Sequence, residues 1–200
     1  MAEPRPRPET SAVLGFRPHT YWAAVVALGG SAAAPEVLAR HKIVFAAGEE
    51  RSVYHQAADA PLGTEAEALI ARVRSAVEAN ARAGIERFVA LLGNDGLVVR
   101  TAVAPTGGKK LPPLADIVRV HTLQHAAEGE FYRDAVAAAC ASLNLEVKRP
   151  VERELPALVC DRLGVARSDL DSRLKDMGAR LGPPWSEDQR LAVLAAWAEL

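Results

Sequence analysis

Only two cysteines and a formal net charge of −1 are found in 200 residues, and each shortage excludes something. Cys140 and Cys160 lack metal-type spacing, and each falls in a helix-like apolar pattern. They read as small buried hydrophobes of a reducing compartment, not as a disulfide framework or a zinc site. Balanced charge removes any global pull toward nucleic acid or anionic membrane, so polyanion contact must come from a local basic patch. No apolar run approaches the roughly 18 residues that a membrane span needs, so no membrane partner is expected. Residues 1–10 alternate proline with arginine and lack the apolar core of a secretory signal. They read as a disordered tail of a cytoplasmic protein. No Gly-rich dinucleotide fingerprint follows a strand, and no serine or cysteine triad can be assembled.

What is present suffices for a packed core. Half of the residues are hydrophobic, chiefly Ala, Leu and Val, which predicts one domain over 11–200 with a helical C-terminal part. Residues 11–30 hold two extended pieces, or one bulged strand, about Arg17-Pro18-His19, because Pro18 removes a ladder donor. Residues 37–46 and 51–56 read as further strands of an antiparallel meander, with a turn at 48–50. The period then changes. Thr64 and Glu67 have the capping-box pattern, and Val73, Val77, Ile85, Phe88 and Leu92 continue a helical stripe over 64–92. That stripe stays in phase across Gly84, which favours a helix over a hairpin at Asn94-Asp95-Gly96.

A strand over 97–104 precedes the loop Thr106-Gly107-Gly108-Lys109-Lys110. Next come a helix over 114–143 with a weak point at Gly129, a short strand at 146–148, and helices over 155–163 and 168–181. Ser186 caps a last helix. Three strands followed by helix-linked strands predict an α/β fold, a mixed five-stranded sheet with flanking helices.

That order is similar to the ribonuclease-H-like fold, including its RuvC-type branch. The family's first strand carries a Gly-hydrophobic-Asp-Pro-Gly pattern, and Gly15-Phe16-Arg17-Pro18-His19 occupies the matching stretch. Arg17 stands where the metal-binding Asp would be, and a guanidinium cannot ligate Mg²⁺. The resemblance therefore implies a divergent member without ordinary two-metal chemistry. Asp188 matches the family's late helical acid. The resemblance also implies that the first and fourth strands are neighbours.

Within the 114–143 helix, positions 121, 125, 128 and 132 continue the apolar stripe, yet they are His121, His125, Glu128 and Tyr132. Polar groups on a core-facing stripe must be paired or must line a cavity. His121 and His125 stand four apart and can hold one divalent metal, with His19 as the candidate third ligand. Glu128 lies about 10 Å along the axis from His121, too far for one ion to take all three. A solvent-facing helix end is the plainer alternative. Arg17, Lys109 and Lys110 form a basic group suited to phosphate at a Gly-Gly-Lys-Lys loop, or simply a solvated loop. Glu152, Glu154 and Asp188 suit the first turns of helices, and Trp185 and Trp197 suit packing.

Two functions follow as expectations. One is a protein that processes nucleic acid or a phosphate ester, with His19, His121, His125 and Glu128 as its catalytic group. The other is an inactive interaction or regulatory module of the same fold.

Overall fold

The computed structural model describes residues 10–48, 51–60 and 63–200. Five strands form one sheet: β1 (Thr10–Pro18), β2 (Trp22–Ser31), β3 (Ala34–Val44), β4 (Leu97–Val103) and β5 (Glu146–Lys148). Their order is β3-β2-β1-β4-β5. Strand β2 runs antiparallel to both β1 and β3, whereas β4 is parallel to β1 and to β5. The coarse expectation, a mixed five-stranded α/β sheet flanked by helices, is met.

Strands β1 and β2 are apolar on both faces because both faces are covered, as buried strands require. Leu14 and Phe16 of β1 and Val25 and Ala27 of β2 join one core with α2 (Thr64–Asn94) and α4 (His121–Ser142). Val13, Val26 and Leu28 face the other core, built with α5 (Leu155–Leu163), α6 (Arg167–Leu181) and α7 (Glu187–Trp197). Gly15 lies where α7 crosses β1; a Cβ there would overlap the Ala192 carbonyl and stand 2.6 Å from the Ala196 nitrogen. Trp197 at the end of α7 is fully buried and donates its indole N–H to the Ala32 carbonyl at 2.8 Å.

Several local expectations are corrected. Residues 51–56 are not a strand: Val53–Asp59 is helix α1, whose Val53, Tyr54 and Ala57 face inward at helical spacing. The missing strand is recovered upstream, where residues 11–30 split into the β1–β2 hairpin and β3 begins at Ala34. The capping box does not form. Gly63 is the N-cap of α2, Thr64 is already helical, and no side chain caps the end. Gly84 does not break α2, because its bare Cα lets Ile43 pack against the helix. The 114–143 helix breaks at residues 118–120 and not at Gly129. A short α3 (Leu114–Ile117) precedes α4, and Gln124 fastens the break by donating to the Val118 carbonyl at 2.7 Å. Residues 1–9 of the expected tail, and Glu49 and Glu50 of the expected turn, lie outside the described residues. Thr10, assigned to that tail, opens β1. Among the described residues no helix is long and apolar enough to cross a membrane.

The α6–α7 connection is held to the sheet by Arg40 of β3. Its guanidinium donates to the carbonyls of Leu181 (3.3 Å), Gly182 (3.3 Å) and Pro184 (2.5 Å), covering the open end of α6.

Two outcomes follow from this packing. Gly15→Ala forces α7 away from β1 and lowers the unfolding free energy by about 3 kcal/mol, read by urea denaturation. Burial pushes the Cys140 thiol up to about 12, so at pH 8 native protein alkylates at the half-buried Cys160 while Cys140 reacts only on unfolding. Peptide mass mapping checks the order.

Candidate metal centre on the α1–α4 flank

His121 and His125 stand exposed at the start of α4, the solvent-facing helix end of the plainer alternative, while Glu128 and Tyr132 further along the same face are buried. His121 and His125 are one helical turn apart, and their ring centroids are 4.4 Å apart. The third imidazole comes from α1. His55 lies 5.1 Å from His121 and 4.8 Å from His125, centroid to centroid. One candidate ligand nitrogen on each ring falls within 4.8 Å of the others. Tetrahedral coordination at the usual Zn–N length sets nitrogens about 3.4 Å apart, so small side-chain rotations close the site.

Helix α1 is seated so that His55 faces this turn. Ala57 packs with Ala66 and Val118, and Tyr54 stands edge-on to Phe131 at 6.1 Å. Burial raises the Tyr54 phenol above its ordinary value, outweighing the Arg74 guanidinium beside it. Glu128 supplies the buried polar group of the site. Its side chain is 5% exposed, and Oε1 receives a 2.8 Å hydrogen bond at Nδ1 of His55. Its Oε2 lies 3.9 Å from Nδ1 of His125.

The other sequence candidates are placed elsewhere. His19 follows β1, stacks on Trp22 at 4.3 Å, and pairs through Nε2 with Oδ1 of Asp188 at 2.6 Å. Asp188 belongs to α7, on the sheet face opposite α4, so the structure groups His19 with Asp188 and supplies His55 beside His121 and His125. Arg17 pairs with Glu152 at 3.2 Å, Glu152 with Arg133 at 3.5 Å, and Arg133 with Glu130 at 3.4 Å. Glu130 stands about 200° around α4 from Glu128, at 100° per residue, so this chain of charges lies away from the histidines. The loop before Lys109 uses its own amides: Gly107 donates to Glu130 at 2.6 Å and Gly108 to the Thr106 hydroxyl at 3.0 Å. Lys109 and Lys110 are exposed. Glu154 pairs with neighbouring Arg153 at 3.8 Å.

His55 is the residue that sequence reasoning missed. A strand assignment over 51–56 hid it, although Val53 and Ala57 at i, i+4 with Ala58 and Ala60 already carry a helical signal.

No protein-family model and no curated protein matches this sequence.

Removing the His55 ring strands a buried carboxylate. His55→Ala is expected to cost about 2 kcal/mol of stability, and the same substitution in a Glu128→Gln background costs clearly less. Urea denaturation of the four proteins of this double-mutant cycle measures the coupling.

Proposed function

We propose that the chain is a divergent ribonuclease-H-like domain that hydrolyses phosphate esters at a divalent-metal centre made by His55, His121 and His125. The single observation that carries this reading is the convergence of three imidazoles from two helices within 4.8 Å. Neutral ligands leave a bound divalent ion with net positive charge, and the exposure of His121 and His125 leaves it an open position. At such a position an ion acidifies water toward neutral pH and polarises a phosphoryl oxygen. Arg119, exposed two residues before His121, adds a cation next to the first ligand of α4 in the chain and favours an anionic substrate.

The frame is supported by the pairing of β1 with β4 and by the meander that precedes the helix-linked strands. Arg17 at the end of β1 is engaged by Glu152, so chemistry at the place of the family's first-strand acid is not part of this reading. That ion pair also favours a second reading, in which the fold acts as an interaction module without turnover.

The test is hydrolysis of a nitrophenyl phosphomonoester, the corresponding diester and a single-stranded oligonucleotide, each with Zn²⁺, Mn²⁺, Co²⁺ or chelator. Metal-dependent turnover of one substrate class, falling to background in His55→Ala and His125→Ala, is the expected result. Equal background in wild type and both variants with every metal would reject hydrolysis and leave the module.

A further inference from the structure

Three imidazoles converge, but their support is unequal. His55 is held through Nδ1 by Glu128 Oε1 at 2.8 Å. His125 turns its Nδ1 toward the other oxygen of the same carboxylate, at 3.9 Å. His121 meets the other two rings edge-on and, among the described residues, has no hydrogen-bond partner. Glu128 therefore lies behind two of the three rings.

We infer that Glu128 is the positioning residue of the centre: it directs Nε2 of both His55 and His125 at one metal ion and leaves His121 as the weak, exchangeable ligand. This rests on the metal reading above. An imidazole has two nitrogens, and whichever one carries the proton cannot bind metal. A carboxylate accepting from Nδ1–H fixes the tautomer, so that the lone pair is on Nε2. The rings must approach one another for coordination. As the His125 ring moves in, its Nδ1 has only a short way to go to reach Glu128 Oε2, so metal binding and a second carboxylate bond form together.

Burial makes the carboxylate effective. At 5% exposure its charge is little screened by water, and one negative charge behind two ligands offsets part of the ion's positive charge without occupying a coordination position. Being held from α4 beneath the site, Glu128 also couples α1 to the first turn of α4. The ligands from these two helices are thus set by one group. His121 lacks such a partner, and its side of the ion is the side open to exchange with water or substrate.

Co²⁺ titration of the full chain, followed by its visible absorption, tests the assignment. Wild type is expected to take one ion per chain. Glu128→Ala should weaken binding by about 10- to 100-fold, and the isosteric Glu128→Gln, which keeps an acceptor but loses the charge, should weaken it less. His121→Ala should lose less affinity than His55→Ala or His125→Ala. In the Zn²⁺-loaded protein, ¹⁵N NMR of the imidazoles should show Nδ1–H with Nε2 bound to metal for His55 and His125. Glu128→Gln keeps the side-chain volume, so it carries the comparison if Glu128→Ala does not fold. Failure of wild type to bind Co²⁺ would remove the centre and this assignment together. Binding by wild type with unchanged affinity in Glu128→Gln and Glu128→Ala, or coordination of His55 through Nδ1, would overturn the positioning role alone.

Discussion

Strands β1 and β2 have to be covered on both faces, since neither face carries the polar alternation that water would accept. That requirement sends α2 and α4 to one side and α5, α6 and α7 to the other. It also fixes how close they come: α7 meets β1 at Gly15, where no side chain fits. The distribution of functional groups follows from it. His19 leaves the end of β1 and is taken by Asp188 of α7, whereas the rings of α4 emerge on the other side. His19 and the histidines of α4, grouped as candidate ligands of one metal, are thus separated by the sheet itself.

The same geometry explains the strand ends. In a mixed sheet whose central strands run parallel, the carboxyl ends of β1 and β4 open toward one rim, and ligands favour that rim. Here it is filled with paired charges. Arg17, Glu152, Arg133 and Glu130 alternate in sign, each side chain about 15–20% exposed. Partly buried ions of this kind are tolerated because the attraction between them offsets part of their desolvation cost. A cation at Arg17 needs an acid opposite it, and Glu152 meets that need. The pairing ties β1 to the segment after β5. It fills with paired charges a place where sheets of such topology can hold a ligand.

Much of this architecture was legible in the chain, and the failures have specific physical causes. Period alone separates the 31-residue α2 from the strands around it, because the apolar stripe from Val73 to Leu92 stays in phase across one glycine. Ser186 and Gln189 announce α7, and the capping bond forms. The segment 51–56 failed because a six-residue window with Val53 and Tyr54 as its apolar pair stops short of Ala57, the i+4 partner that shows the helical period and packs with Ala66 and Val118. Helix α4 failed differently. Its apolar stripe reads continuously from Leu114, but Gln124 binds the Val118 carbonyl and closes a break there, a tertiary detail that no period contains. His121 and His125 share the face of Glu128 and Tyr132, but they lie at the exposed start of α4, before that face reaches the core. Glu128 was legible as a polar group in a buried stripe; its partner was not, since His55 lies 73 residues away.

The buried carboxylate then determines which nitrogen each ring can offer. A charged group at Glu128's depth must be hydrogen-bonded or it destabilises the fold, and the nearest donor is an imidazole on a different helix. Satisfying the carboxylate therefore orients His55, and orienting His55 points its second nitrogen at the exposed pair on α4. Were Glu128 replaced by an apolar residue, nothing would choose between the two tautomers of His55. Stability and site assembly are in this sense one interaction: the bond that makes the burial of Glu128 tolerable is also the bond that turns the ring of His55 toward the pair on α4.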